Sequence, residues 1–226
     1  MSAPAILMVV TSHDRIDAEH ATGLWFEEFA VPYARFRAAG YAVDVASPRG
    51  GDTPIDARSL ENSAPTPDTE AAHAALRGTR RLDDGVTARD YAAIFFPGGH
   101  GTMFDLPDNP QVQRLIREFA EAGKVIASVC HGPACLVGVR LRDGTAFVKG
   151  RKLTAFTDSE ERAVQLDKAM PFLLESRLRE QGAQFVPAAD WADNIVVDGR
   201  LVTGQNPQSS GSAAEAVLTL LAAARH

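Results

Sequence analysis

The sequence predicts an α/β protein with a doubly wound, mostly parallel sheet sandwiched between helices. Short apolar, partly β-branched runs recur at residues 5–10 (AILMVV), 92–96 (AAIFF) and 125–129 (VIASV). Each has the length of a strand buried on both faces. Stretches with helical apolar spacing stand between and after them, so strands and helices alternate as parallel crossovers require. Two of the strands run directly into chemically loaded turns, PGGHG after residue 96 and CHG after residue 129. Ligands in such sheets bind beyond the carboxyl ends of the strands. That places His13, residues 98–101 and Cys130-His131 on one rim.

The first strand closes at Thr11-Ser12-His13-Asp14, and a polar loop follows to Thr22. Residues 24–39 carry Leu24, Trp25, Phe29, Val31, Tyr33 and Phe36 at helical spacing. Pro32 is expected to kink this helix or end a first segment, and Gly40 to cap it. Residues 41–46 alternate as a second strand. Residues 47–67 shift to Pro, Gly, Asp and Ser, a long surface loop of the kind that is commonly functional or lid-like. A modest helix is expected over 69–80. Asn109-Pro110 starts a helix reaching Ala122, with Val112, Leu115, Ile116 and Phe119 on one face and Gly123 as its stop.

After the strand at Val125–Val129, residues 133–139 read as helical. Residues 145–150 and 153–156 read as short strands around Lys149-Gly150-Arg151. Residues 159–168 and 171–180 read as helices, with Pro171 at a first helical position, and 184–186 as a short strand. Residues 194–197 and 200–203, joined by Asp198-Gly199, form a hairpin. An amphipathic helix over 210–224 closes the chain. No repeat, low-complexity linker or composition break divides the sequence, so residues 1–226 read as one domain.

Composition narrows the function classes. The 226 residues, 45% hydrophobic with 18 glycines, suit a soluble globular protein. A net charge of −6 with no basic stripe argues against a nucleic-acid surface. The two cysteines, Cys130 and Cys135, make neither a disulfide framework nor a zinc-type pairing, which suits a reducing compartment. The start of the chain lacks a basic segment before a long apolar run, and no run approaches the roughly 18 residues that span a bilayer. The expectation is a cytoplasmic protein without membrane or nucleic-acid partners.

The chemistry gathers at Lys124–Pro133, KVIASVCHGP. A strand that ends at a nucleophile and turns sharply into a helix is an elbow. A helix N-terminus behind Cys130 would lower its pKa and give a real thiolate fraction; otherwise Cys130 is a buried structural cysteine. His131 can act as a base toward thiol or substrate if a third group fixes its tautomer. Asp158, Glu160 and Glu161 are the acidic candidates, each alternatively a solvated helix N-terminus. Gly98, Gly99 and His100 belong to a turn whose backbone N–H groups could face an oxyanion, with His131 N–H as a second donor. Glu27 and Glu28 stand side by side in an apolar helix. Helical neighbours lie about 100° apart, so either both face water or one is buried, protonated and able to hydrogen-bond a thiolate. Cys135 reads as core.

These stretches resemble the ThiJ/PfpI superfamily of class I glutamine amidotransferase-like, flavodoxin-like proteins. The likeness runs end to end through TGLWFEEF, FFPGGHGTMFDLP, VCHGPA, LTAFTDSEE and DGRLVTGQNPQSS. Within the superfamily it is closest to the chaperone-like glutathione-independent glyoxalases (glyoxalase III). The resemblance implies Cys130 as nucleophile, His131 as its companion and Glu161 as the third triad member. It puts Glu28 rather than Glu27 beside the cysteine. Glu160 remains a rival to Glu161, because it fills a position often held by a small residue. Gly99 and His131 would supply oxyanion N–H groups, with Gly98, His100 and Asn206 flanking the substrate. The superfamily also holds proteases, deglycase candidates, chaperones and stress sensors, so fold and nucleophile alone leave the reaction open.

The expected activity is conversion of methylglyoxal and related 2-oxoaldehydes to 2-hydroxy acids through a Cys130 adduct, an enediol and a thioester, with no metal or organic cofactor. A homodimer is implied by family analogy. The alternatives are a redox-sensing chaperone and a Cys-His-Glu hydrolase, and pocket size separates the latter: a peptidase needs an open groove, an aldehyde enzyme a small closed pocket.

Overall fold

The computed structural model describes residues 5–61 and 64–224. Its centre is a seven-stranded sheet in the order β3-β2-β1-β4-β5-β9-β8. The strands are β1 (Ala5–Val9), β2 (Ala42–Ser47), β3 (Arg80–Arg81), β4 (Ala93–Phe96), β5 (Val125–Val129), β8 (Ile195–Asp198) and β9 (Leu201–Gly204). All pairings are parallel except β8 with β9. The order reverses between β1 and β4, the switch point that opens a crevice at the strand carboxyl ends. A separate two-stranded sheet joins β6 (Lys152–Leu153) to β7 (Gln184–Phe185).

Strand alternation decides which face each side chain serves. Ile6, Met8, Ala93, Phe95, Val125 and Val129 face one apolar cluster, and Leu7, Val9, Ile94, Phe96 and Ile126 the other. The first cluster is closed by α1 (Phe26–Ala38) through Phe26, Phe29 and Phe36, and by α7 (Ser210–Ala223) through Val217 and Leu221. The second is closed by α4 (Pro110–Glu121) through Val112, Leu115, Ile116 and Phe119, with Asn109 capping it through its side chain. No described helix is long and apolar enough to cross a membrane.

Several boundaries differ from the sequence expectation, each for a local reason. Pro32 lies inside α1 and does not end a segment. The helix α2 (Pro67–Ala75) starts early because Thr66 and Thr69 form a capping box. It then stops at Leu76, and residues 80–81 pair with β2 instead. Residues 145–150 are turns, not a strand. Their polar groups bond singly to distant segments, as Phe147 N–H does to Val139 O and Gly150 N–H to Gly182 O. The expected helices at 159–168 and 171–180 are the shorter α5 (Asp158–Ala163) and α6 (Leu174–Glu180). Gln165 in the left-handed region ends the first. The second begins past Pro171, where the Asp158 carboxylate accepts from Ser176 N–H and Oγ. The β8–β9 register pairs Asp198 with Leu201, so Gly199-Arg200 form the tip of the hairpin instead of Asp198-Gly199.

Candidate active site

Cys130 directly follows β5 and holds a φ of +61°, which a non-glycine residue rarely adopts. Two backbone bonds hold it there: its N–H donates to Gly204 O at 2.9 Å, and its O accepts from Phe156 N–H at 2.8 Å. Beyond His131 the chain makes a single 3₁₀ turn, Gly132–Leu136, and not the helix expected over 133–139. A turn that short has little dipole to offer a thiolate. The expectation of a lowered Cys130 pKa is overturned. Burial pushes the thiol well up, and the charge and hydrogen bonding of Glu28 add to the effect, against a smaller pull from the His131 backbone N–H. Cys130 is therefore held as a thiol.

An imidazole stands next to the sulfur. His131 Nδ1 lies 3.4 Å from Cys130 Sγ, and His131 Nε2 lies 2.6 Å from Glu161 Oε2. All three residues are buried. Glu161 also meets a second histidine, with His100 Nε2 2.7 Å from its Oε1. Burial alone would raise the Glu161 pKa, but the His131 ring and the hydrogen bonds from both histidines hold it well below the usual carboxylate range. An ionised carboxylate can only accept, so both Nε2 atoms carry hydrogen, and the Nδ1 of either ring is bare when that ring is neutral. Sequence reasoning placed His100 with the oxyanion turn and missed this shared carboxylate. Donor atoms of His100, His131 and Glu161 come within 4.8 Å of one another, close enough for a metal. Both histidines, however, already pair with Glu161.

Glu28 sits on the inward face of α1 and is fully buried, while Glu27 is exposed. Its Oε2 accepts from Gly98 N–H at 2.6 Å, and Oε1 has no hydrogen-bond partner among the described residues. The Cys130 sulfur is its neighbour. Burial raises the Glu28 pKa to about 8, opposed by the Cys130 and Gly98 interactions, so the carboxyl is largely protonated at neutral pH. Gly98 is required here. A Cβ on it would stand 2.6 Å from His131 N, 2.7 Å from Glu28 Oε2 and 2.8 Å from Val129 O. Because its N–H is committed to Glu28, Gly98 is not an oxyanion donor, which corrects that expectation. Gly99, at φ +101°, lines the cavity and packs against the backbone of Gly23 and Trp25.

Asn206 is also corrected. It is fully buried and does not line the cavity; its Nδ2 donates to Glu160 Oε1 at 2.9 Å and to Ala192 O at 2.8 Å. Glu160 is likewise not a triad member. Its Oε1 also accepts from Trp191 N–H and Gln205 Nε2, and its Oε2 accepts from Thr157 N–H and Oγ1. This carboxylate ties α5 to the Trp191 loop and to the turn after β9. An amide in its place would turn an N–H₂ group toward donors. Glu160→Gln is therefore expected to lose roughly 1–3 kcal/mol for each donor left unpaired. Thermal melts should drop by at least several degrees, at about 2–4 °C per kcal/mol for a chain of this size. A melt at the wild-type temperature would contradict the network. His13 stacks on Phe104, apart from the cavity.

The cavity beside Cys130 has a volume of about 120 Å³. Glu28, Gly99, His100, Cys130 and His131 form its floor, and Trp25, Phe156 and Trp191 are its aromatic walls. Phe156 meets Trp191 edge-on with ring centroids 5.7 Å apart. Trp191, left-handed at φ +64° in a loop between β7 and β8, carries no sequence signal that would have found it. Arg58, from the long loop over 47–67, also borders the cavity, held by a two-pronged ion pair to the buried Asp56. Arg58 is the residue of that loop that lines the cavity among the described residues, and residues 62–63 lie outside them.

Residues 22–220 match the model of the DJ-1/PfpI family. The chain belongs to that family. A glutathione-independent glyoxalase of Schizosaccharomyces pombe is 36% identical over 214 residues, covering 87% of this chain and 86% of its own. Among solved structures, glyoxalase III from Candida albicans superposes with a TM-score of 0.87 at 30% identity, over 96% of this chain and 97% of its own. The Rapid Encystment Protein 24 kDa of Francisella tularensis gives 0.91 at 32% identity, over 96% and 99%. Family likeness extends from just before α1 into the closing helix, and it includes every residue of the cavity beside Cys130.

Proposed function

We propose that the protein is a glutathione-independent glyoxalase that converts methylglyoxal and similar small 2-oxoaldehydes to 2-hydroxy acids. The observation that carries the reading is the Cys130 sulfur 3.4 Å from His131 Nδ1 with the buried Glu28 carboxyl beside it, all lining a cavity of about 120 Å³. Relatives named glutathione-independent glyoxalase or glyoxalase 3, 29–36% identical over most of the chain, support it.

Cys130 passes its proton to His131 Nδ1 as sulfur adds to the aldehyde carbon C1, with Gly99 and His131 backbone N–H groups as the donors for the resulting oxyanion. His131 gives that proton on to the oxyanion, which frees Nδ1 to take the C1 proton as the electron pair forms an enediol. Glu28 supplies a proton to C2, which makes a 2-hydroxy thioester. Water cleaves that thioester and returns the thiol. Every redox change is internal to the substrate, with C1 oxidised as C2 is reduced.

A polypeptide would need a groove, and the small walled cavity favours the aldehyde over a peptidase substrate. The test is incubation with methylglyoxal in the absence of glutathione, with casein as a parallel substrate. The proposal expects lactate equal to the methylglyoxal consumed and no casein cleavage. Casein cleavage without lactate would replace it with the hydrolase reading.

A further inference from the structure

We infer that His100 is the general base of the hydrolytic half of this reaction, taking a proton from the water that cleaves the Cys130 thioester. The inference rests on the glyoxalase reading. His100 borders the cavity and is 5% exposed. Its Nε2–H is committed to Glu161, which leaves Nδ1 bare, buried and without a hydrogen-bond partner among the described residues. A buried ring nitrogen is seldom left so. The molecule that can satisfy it must be small and carry a hydroxyl hydrogen, which a water or a hydrated substrate does.

The other groups around the cavity cannot do this work. Arg58, Trp25 and Trp191 carry donors only. Glu28, once the C1 proton held by His131 has replaced the one it gave to C2, is again largely protonated at neutral pH. His131 Nδ1 faces the sulfur. Burial, and after it the charge of His131 when that ring is protonated, hold the His100 pKa down at about 4, so its lone pair is available. The two rings lie 4.1 Å apart with a 43° tilt over one carboxylate. Their repulsion disfavours two protonated rings at once. His131 therefore holds the proton while the thiol is activated, and His100 accepts one only after His131 has given its proton up.

The step balances without an outside reagent. His100 Nδ1 takes one hydrogen of water as the oxygen adds to the thioester carbon. The carbon–sulfur bond then breaks, and the sulfur leaves with the electron pair. The proton taken by His100 goes to the departing sulfur, and the products are the 2-hydroxy acid and the Cys130 thiol.

His100→Gln keeps an N–H donor for Glu161 and removes the basic nitrogen. Rapid mixing with methylglyoxal should show a burst of one equivalent per site, followed by turnover about 10²-fold slower than wild type. Acid-quenched protein should carry one methylglyoxal-derived acyl group on Cys130. After removal of excess aldehyde, hydroxylamine should release it as lactohydroxamate. His100→Asn, which also lacks the base, should give the same burst and adduct. Wild-type turnover in either variant would overturn the inference, as would slow turnover with neither burst nor acyl adduct. Failure of wild-type enzyme to form lactate is a separate result that overturns the glyoxalase reading beneath it.

Discussion

Glu161→Gln should lower turnover of methylglyoxal by roughly 10³–10⁴-fold, the scale lost when a carboxylate that orients a catalytic histidine becomes an amide. Two Nε2–H groups, of His100 and His131, reach one carboxylate at 2.7 and 2.6 Å. An amide has one acceptor oxygen, so one ring would face an N–H₂ group and have to move its own hydrogen to Nδ1. If that ring is His131, the nitrogen 3.4 Å from Cys130 Sγ can no longer take the thiol proton. If it is His100, the nitrogen without a partner is blocked. The measurement is steady-state kcat beside a thermal melt, which separates a lost tautomer from a lost fold. A decrease of less than 10-fold would show that the carboxylate does not set the tautomers.

Glu28→Gln is the second large effect. The side chain keeps a donor toward the sulfur but cannot exchange a proton, so conversion of 2-oxoaldehydes should fall by roughly 10²–10⁴-fold. Glu28→Ala removes the donor as well, so its thiolate, read by absorbance against pH, should form at higher pH than in Glu28→Gln. Glu27→Gln, altering the exposed neighbour, serves as control.

The same carboxyl predicts a pH dependence whose sign is fixed by its raised pKa. Folded, Glu28 keeps its proton up to about 8; the ordinary value is 4.5. Its contribution to stability is fully present below 4.5 and is lost as pH rises through about 8. Activity that needs the protonated form should fall over the same upper limb, and Glu28→Gln should lack that stability loss. Wild-type rate in Glu28→Gln would leave proton transfer to the histidines alone.

The doubly wound sheet is legible in the sequence because buried parallel strands leave uninterrupted apolar runs, as at Val125–Val129. The short elements are not. Whether residues 145–150 pair as a strand depends on where a local turn back to Val139 ends and on Gly182, which is remote in sequence. The place of α6 depends on a carboxylate from the start of α5. At the site, the inward turn of Glu28 and the choice of Glu161 over Glu160 come from motif register, and the structure brings those two side chains to Cys130 and His131. The acidity of Cys130 is misread because a sequence shows a strand meeting a helical-looking stretch. It does not show that the stretch is one 3₁₀ turn or that a buried carboxyl stands beside the sulfur. Asn206 looks like a site residue because it borders the site in sequence, but its amide is spent on Glu160.

The central claim is that Cys130 carries the reaction through a covalent adduct. The direct measurement is lactate formed from methylglyoxal, without glutathione, by wild type, Cys130→Ser and Cys135→Ser. Cys135 is fully buried and belongs to the core on the other face of the sheet, so Cys135→Ser is the control for losing a thiol. The account predicts lactate from wild type and from Cys135→Ser, and none above background from Cys130→Ser. Lactate formed by Cys130→Ser at the wild-type rate would contradict it.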